Sequence, residues 1–265
     1  MPRSDVGARA EASPLGREVL LLLGGARAIL LQIADPAIGH GVAAHSDFVG
    51  RPMDRLRATL EFVYVVINGT PEQAARVARR VNRAHGPVRR TEGEPTYSAF
   101  DPALQLWVAA TIYDTAVTVT ETVFGRLADS DADALYRDYA LLGSALQMPD
   151  DLWPADRAAF AGYWHERLAE LRVDDTVRGV ARSLLVEARL PLALRPLRPL
   201  LRIMTTGLLP PSVRPLFGLR WTARADAVFT AWIRVIRFVY PLLPAFVREA
   251  PLRAALRRAG SESRA

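Results

Sequence analysis

Apolar residues recur every three or four positions along most of the chain, which is the spacing of one face of an α-helix. The stretch RPMDRLRATLEFVYVVINGT shows this spacing at four positions, Leu56, Leu60, Val63 and Ile67. The pattern stops at Asn68-Gly69, a dipeptide typical of turns. We therefore expect a helix that ends there.

The next helix carries both a start and a stop signal. Thr70 is a suitable N-cap, Pro71 fits the first helical position, and Gln73 completes a capping box. The apolar stripe of this helix consists of Ala74, Val77, Ala78, Val81 and His85. Gly86-Pro87 then ends the helix. His85 is the polar member of the stripe, so we expect it on the buried face in the last turn.

The following segments also predict helices. Asp101-Pro102 starts a long helix that is apolar nearly all round and would be the central buried one. Ser130, with two aspartates behind it, opens a helix that we expect to run through Leu146. Residues 155–171 and 175–189 predict two more helices, and the many prolines after them predict short helices joined by turns.

These patterns together predict an all-α fold. We find no convincing β alternation and no internal repeat. No linker divides the middle of the chain, so we expect one multi-helix domain over residues 15–256. The polar ends, residues 1–14 and 257–265, are expected to be flexible tails.

Composition removes several classes of chemistry. The chain has 265 residues and no cysteine, and all 34 of its basic residues are arginine. Thiolate nucleophiles, zinc-cysteine sites and thiolate-ligated haem are therefore excluded, and so is a lysine Schiff base. The net charge of +6 is expected to be spread along the chain, which argues against a nucleic-acid interface.

Two apolar segments raise the question of a membrane. The first, residues 19–34, is too short to span and is interrupted by Arg27. The second, residues 227–247, contains Arg234 and Arg237 in its middle, with Pro241 and Pro244 beyond them. An amphipathic helix packed on the body or lying on a membrane surface explains this segment better than a crossing helix. We expect a cytoplasmic protein, with peripheral membrane contact compatible with the sequence.

The four histidines are the main candidates for metal ligation. The chain lacks a Gly-rich phosphate loop, a G-x-S-x-G elbow, an H-E-x-x-H motif and a Glu-x-x-His pair. His165 is expected at the surface, whereas His40 and His45 lie in a glycine-containing segment that we expect between helices, as cap, turn or pocket residues. Periodicity leaves two readings of His85, a core imidazole bonded to a carbonyl or a proximal haem ligand.

Arg55 and Thr59 form one further candidate pair. They are four residues apart and therefore project from the same face of the helix before His85. A guanidinium beside a hydroxyl suits a haem propionate or an oxygen bound to iron. The same residues would also fit a solvated arginine and a threonine bonded to its own backbone.

Four segments in sequence order carry a resemblance to a known family. They are GVAAHSDF, RPMDRLRATLEFVYVVINGT, RVNRAHGPVRRTEGEPTYSAFDPALQLWVAATIYDT and LQMPDDLWPADRAAFAGYW. In this order and spacing they resemble the MpaB and latex-clearing rubber oxygenase family over roughly residues 15 to 240. The resemblance implies an all-helical, globin-like domain around a haem b, which oxidises hydrophobic, often isoprenoid, substrates with dioxygen.

The resemblance also assigns roles to individual residues. It implies that His85 is the proximal iron ligand, and that Arg55 and Thr59 are the distal residues of an R-x-x-x-T motif. Three departures speak against assuming rubber cleavage. The family's lysine beside the motif threonine is replaced by Ala58, no glutamate occurs between Glu18 and Glu61, and the W-V-H-A of many relatives reads WVAA from Trp107.

The resulting expectation is a haem-dependent oxygenase acting with dioxygen on a lipid-like or isoprenoid substrate, with an unidentified reductant as a further partner. An apolar pocket lined by residues such as Trp107, Tyr113 and Phe124 would take the substrate. Two alternatives remain. One is a haem protein for sensing or electron transfer, with His40 or His45 as second axial ligand, and the other is a cofactor-free helical protein that binds apolar ligands.

Overall fold

The structure is a computed structural model that describes residues 19–45, 52–93, 95–187 and 192–261, with the side chains of 52–55, 187, 193 and 194 left out. Within these ranges it contains twelve α-helices: α1 Gly25–Ile33, α2 Pro36–His45, α3 Pro52–Asn68, α4 Pro71–His85, α5 Pro102–Phe124, α6 Asp129–Ser144, α7 Arg157–Glu170, α8 Asp175–Arg182, α9 Arg198–Leu208, α10 Ala223–Val239, α11 Ala245–Arg248 and α12 Ala250–Ser261. Two short strands, β1 Arg89–Arg90 and β2 Tyr97–Ser98, form an antiparallel hairpin. The predicted all-α class is confirmed.

Helix α5 lies at the centre of the molecule, as its all-round apolar pattern predicted. Asp101 caps it, because its Oδ1 accepts the N–H of Ala103 at 2.8 Å. Buried residues occur on all sides of α5, and α1, α6 and α10 pack around it. The main hydrophobic core extends from Leu30 in α1 to Ala259 in α12. One core therefore joins the first and the last helix.

The α3–α4 hairpin forms as its turn signals predicted. Helix α3 ends at Asn68, and Thr70 caps α4. The capping box is complete, since the Gln73 N–H donates to Thr70 Oγ1 at 3.3 Å and the Thr70 N–H donates to Gln73 Oε1 at 2.9 Å. Helix α4 ends at His85, directly before Gly86.

The prediction that His40 and His45 lie between helices was wrong, because both belong to α2. Asp35 accepts the Ile38 N–H at 3.2 Å, and a proline follows Asp35, so this helix has a normal start. Gly39 is present for packing. A Cβ on it would lie 2.6 Å from a methyl of Val177 in α8. The glycines therefore allow close helix contact and do not break the helix.

Three boundaries also differ from the predictions. Helix α6 ends at Ser144, short of Leu146, because the chain turns back and the Met148 N–H bonds to the Gly143 carbonyl at 3.1 Å. Helix α8 ends at Arg182 and continues only as a π-helical turn, Ser183–Glu187. Residues 257–261, predicted as tail, complete α12, with Ala259 buried. The predicted tail residues 1–14 and 262–265 lie outside the described residues.

Among the described residues, no single helix is long and apolar enough to cross a membrane. By length and composition alone, Val19–Ile33 and Pro36–His45 pass such a test as a pair, but they meet at a bend of 109°. Leu30, Leu31 and Ile33 of this pair belong to the buried core.

Candidate functional site

An ion pair fixes how α3 and α4 are aligned. Arg80 Nη2 of α4 lies 2.8 Å from Glu61 Oε1 of α3. Because the two helices are joined by a two-residue turn, they run antiparallel. His85 lies five residues beyond Arg80, and Leu56 lies five residues before Glu61, so an antiparallel alignment puts the two within about one turn of the same level. The alignment brings the end of α4 beside the first turns of α3, where Arg55 and Thr59 occur.

His85 occupies the last position of α4 and is half-buried. Its Nδ1 is shielded from solvent, and its carbonyl accepts the N–H of Val88 at 2.9 Å, which turns the chain towards β1. Earlier members of the stripe, Ala74, Val77 and Ala78, are fully buried. The predicted buried face is thus correct, and exposure increases towards the histidine.

The two distal candidates are placed differently. The backbone of Arg55 belongs to α3, but its side chain lies outside the described residues. Thr59 is exposed, as are its neighbours Arg57 and Ala58. The buried part of α3 begins at Glu61 and continues to Ile67. Thr59 therefore points away from the packed interior, towards solvent or towards a group that covers this surface.

The β1–β2 hairpin joins the end of α4 to α2. The ring of Tyr97 in β2 contacts the ring of His45 edge-on, with centroids 6.0 Å apart. Gly41 of α2 lies against the same place, since a Cβ there would be in ordinary contact with Tyr97 at 3.4 Å and with Val88 at 3.7 Å. Tyr97, which the sequence analysis missed, is buried and links the turn after His85 to the second imidazole-bearing helix.

The remaining histidines have other surroundings. His40 Nε2 lies 2.7 Å from Asp174 Oδ2, and the other carboxylate oxygen of Asp174 caps α8 through the Val177 N–H at 2.9 Å. His40 thus supports the start of α8, which favours the cap role among its predicted roles. His165 is exposed, as predicted.

The three aromatic residues that we expected in a substrate pocket do not lie together in one. Trp107 is fully buried, donates its Nε1–H to the Leu31 carbonyl at 3.2 Å and stacks on Trp164. Tyr113 lies in a buried cluster of rings with Tyr136, Tyr139, Trp153 and Phe160. Phe124, in contrast, is exposed at the end of α5. Trp107 and Tyr113 therefore belong to the packed core.

A buried polar cluster on α5 was also missed by the sequence analysis. Arg27 of α1 is 2 % exposed and forms a very short ion pair with Asp114 of α5. Its guanidinium also donates to Thr115 Oγ1 at 2.5 Å and to the Leu208 carbonyl of α9 at 2.7 Å. The signal lay in the sequence, because Arg27 is the one charge in α1 and Asp114 interrupts an apolar helix.

Burial and pairing act against each other in this cluster. Burial raises the pKa of the Asp114 carboxyl, while Arg27 and the Thr118 hydroxyl partly offset this rise. Burial likewise lowers the pKa of Arg27, and the carboxylate opposes that change. Arg27 and Asp114 thus connect three helices, α1, α5 and α9. We call this buried ion pair the clamp.

The described residues form no carboxylate-rich metal site, and the cavity that they enclose lies away from the predicted site. Within the described ranges, no group of three or more histidine, aspartate or glutamate side chains is placed to hold a metal ion. A cavity of about 340 Å³ opens between α9 and the start of α10, with Arg202, Arg220 and Trp221 in its wall. Neither His85 nor Thr59 lines this cavity.

Comparison with known proteins places this all-helical domain in a class. The model of the family "ER-bound oxygenase mpaB/B'/Rubber oxygenase, catalytic domain" matches residues 14–238. The chain therefore belongs to this family of oxygenase catalytic domains, and the resemblance drawn from the four sequence segments is confirmed.

Individual relatives refine this placement. Uncharacterised proteins of Mycobacterium bovis and Mycobacterium tuberculosis are each 37 % identical to the chain over 222 residues, which cover 82 % of this chain and 87 % of theirs. The solved structure of latex clearing protein in its closed state is similar in fold, with a TM-score of 0.56 and 19 % identity, covering 92 % of this chain and 70 % of that one. At this identity the structural likeness concerns the fold alone.

Proposed function

We propose that the protein is a haem-b-dependent oxygenase that uses dioxygen to oxidise a hydrophobic, lipid-like or isoprenoid molecule. Its membership of an oxygenase family supports the reaction class. The observation that carries the cofactor assignment is the position of His85, a half-buried imidazole at the end of α4 beside the first turns of α3. An external reductant and a cytoplasmic location complete the proposal.

The residues at this place fit a haem. Since Nδ1 of His85 is shielded from solvent, coordination of iron would use Nε2. A ligating imidazole commonly has its second nitrogen turned towards the protein, where it holds the ring orientation. A haem bound here would supply a redox-active iron that activates dioxygen. The chain has no cysteine to compete as the axial ligand.

The first turns of α3 would hold the polar parts of the bound molecules. The exposed Thr59 hydroxyl is not used by the core, so it is available to donate a hydrogen bond to a ligand that covers α3. Arg55 is assigned to a propionate or to the oxidant, since its fork of N–H donors suits both. Ala58 carries no proton donor, so a lysine-assisted step is not part of the proposal.

The first test is the absorption spectrum of protein produced with haem supplied, before and after dithionite. We expect a haem spectrum that responds to reduction and to dioxygen. His85→Ala should abolish haem retention, because the iron loses its axial ligand, while His165→Ala, a change at an exposed histidine, should retain it. Arg55→Ala should keep the fold and slow turnover.

Three results would contradict the proposal. Colourless wild-type protein would favour the cofactor-free alternative. A six-coordinate low-spin spectrum without reaction towards dioxygen would favour sensing or electron transfer. Full haem content in His85→Ala would show that the ligand assignment is wrong.

A further inference from the structure

Helix α10 is apolar on two opposite faces. Its inner face, with Phe229, Ile233 and Ile236, packs towards α5 and α9. A second stripe of large apolar side chains is exposed at spacings of three and four residues: Trp232, Val235, Phe238, Val239 and Leu242, the last of these in the turn that follows. The outer stripe is therefore apolar surface that packing on the body does not use.

The exposure of this stripe is large. Phe238 is 75 % exposed and Leu242 is 70 % exposed, and Phe246, four residues further along the chain in α11, is 63 % exposed. We call these residues, with the other members of the stripe, the α10 surface. Contiguous apolar surface on this scale marks an interaction site.

The two terminal segments outside the described ranges have little apolar character. The N-terminal segment, residues 1–18, reads MPRSDVGARAEASPLGRE, and the C-terminal segment, residues 262–265, reads ESRA. Neither contains an aromatic residue or an apolar run. These two segments therefore offer no large apolar side chains that match the exposed stripe of the α10 surface.

The charge of the C-terminal part of the chain, together with the arginines on α10 itself, indicates the chemistry of a partner for this surface. Residues 192–261 contain twelve arginines and two acidic residues, whereas the whole chain has a net charge of only +6. The rest of the chain is therefore net negative, which corrects the expectation of an even spread. Arg234 within α10 is exposed, and Arg220 and Arg224 at its start are exposed as well. Exposed aromatic residues bordered by arginine suit the interface of a bilayer that carries anionic lipids.

Arg237 orients α10 on the body. Its guanidinium donates two hydrogen bonds to the Thr122 carbonyl near the end of α5, at 2.8 and 3.2 Å. This contact holds one side of α10 on the molecule, while Trp232, Phe238 and Leu242 remain exposed. The helix is thus fixed with its outer apolar stripe towards the surroundings.

We propose that the α10 surface docks the protein on a membrane containing anionic phospholipids, with the exposed apolar stripe inserted at the level of the headgroups. This inference does not depend on the bound haem, since it rests only on exposed side chains and charge.

The test is cosedimentation of the full-length protein with lipid vesicles. Wild type should bind vesicles of phosphatidylglycerol and phosphatidylcholine, bind pure phosphatidylcholine much less, and release at high salt. Phe238→Ser combined with Leu242→Ser should weaken binding about tenfold or more, because two large apolar groups no longer leave water. Leu141→Ser combined with Leu152→Ser, at exposed leucines in α6 and in the turn before α7, is the matched control and should bind as wild type.

Circular dichroism and thermal unfolding of all variants check the fold, which these exposed positions should leave intact. Absence of wild-type binding to anionic vesicles would overturn the proposal. Unchanged binding of the Phe238→Ser/Leu242→Ser variant would also overturn it, since charge alone would then suffice. A concentration-dependent dimer, lost in that variant and found without vesicle binding, would assign the surface to a second copy of the chain.

Discussion

At the scale of single residues, Arg27 has the most demanding surroundings among the charged side chains described above. It is buried with Asp114 and is held by a hydroxyl and a backbone carbonyl. Removing one partner of a buried ion pair leaves an uncompensated charge, which costs far more than losing a pair at the surface.

We therefore expect Arg27→Met to lower the free energy of unfolding by about 3 kcal/mol or more. Arg157→Met is the control, because Arg157 bridges Asp129 and Asp133 at the surface, where such pairs contribute about 0 to 1 kcal/mol. Urea unfolding measures both. Replacing both partners, Arg27→Met with Asp114→Leu, should recover part of the loss, and equal losses for Arg27→Met and Arg157→Met would contradict the clamp role.

Asp174 gives the molecule a predictable response to acid. Its pKa lies below the usual value, first because its carboxylate accepts the Val177 N–H and second because it bonds to His40. A lowered folded-state pKa means that its contribution to stability is present above the unfolded pKa, about 3.9, and is lost as the pH falls through the folded value.

Asp174→Asn should therefore reduce this pH dependence while keeping a cap. The amide still accepts the Val177 N–H, but it carries no charge. We expect the stability difference between wild type and variant to be largest near neutral pH and to shrink below about pH 4. Urea unfolding at a series of pH values measures this, and a difference that grows on acidification would contradict the assignment.

At the scale of elements, the first residues of α4 and α6 differ in whether a side chain caps the helix. Thr70 accepts the Gln73 N–H, whereas α6 begins at Asp129 after Ala128, without a side-chain cap. Ser130, which the sequence marked as the opening of α6, lies inside the first turn. The sequence pattern alone could not distinguish the two positions by residue type.

Thr70→Ala should accordingly cost about 1 kcal/mol of stability, because it leaves helical N–H groups without an acceptor. Ser130→Ala should cost much less, since alanine is the better helix former inside α6. Chemical denaturation compares the two variants. Equal losses would indicate that Ser130 has a capping role that its position in α6 does not suggest.

The elements also show which local signals were sufficient. Short-range signals located α3, α4 and α5 well, because a cap, a proline and a stop dipeptide act within one helical turn. They failed for α2, where the glycine-containing segment with His40 and His45 was expected between helices, although Gly39 allows contact with Val177 of α8, more than a hundred residues away. Such a contact leaves no trace in the local pattern.

At the scale of the whole molecule, the candidate site was predictable only in part. Periodicity placed His85 on the correct helix face, and α4 packs against α3, the helix that contains Arg55 and Thr59. That these three residues act together stays a prediction. The role of Tyr97 and the core position of Trp107 depend on how distant elements meet, so one sequence could not supply them. The clamp between Arg27 and Asp114 has the same origin.

Helix α12 is the clearest case of a distant element that supports the site. It lies beyond the family match, which ends at residue 238, yet it packs on α3 and α4. Leu252, Ala255 and Ala259 are buried there, and Arg76 of α4 donates to the Ala259 carbonyl at 3.0 Å. Helix α12 therefore covers part of the α3–α4 hairpin, which carries His85.

Deleting residues 250–265 should consequently destabilise the whole molecule by several kcal/mol, as burial of a leucine alone contributes about 2 to 5 kcal/mol against its loss to alanine. Deleting only residues 262–265, which follow α12, should be nearly neutral. The free energy of unfolding and the haem content of protein produced with haem measure the two effects. Because the core is continuous from α1 to α12, the longer deletion should lower the free energy of unfolding and, under the proposed function, reduce haem retention as well. A stable shortened protein that keeps its haem would show that α3 and α4 hold the site without α12.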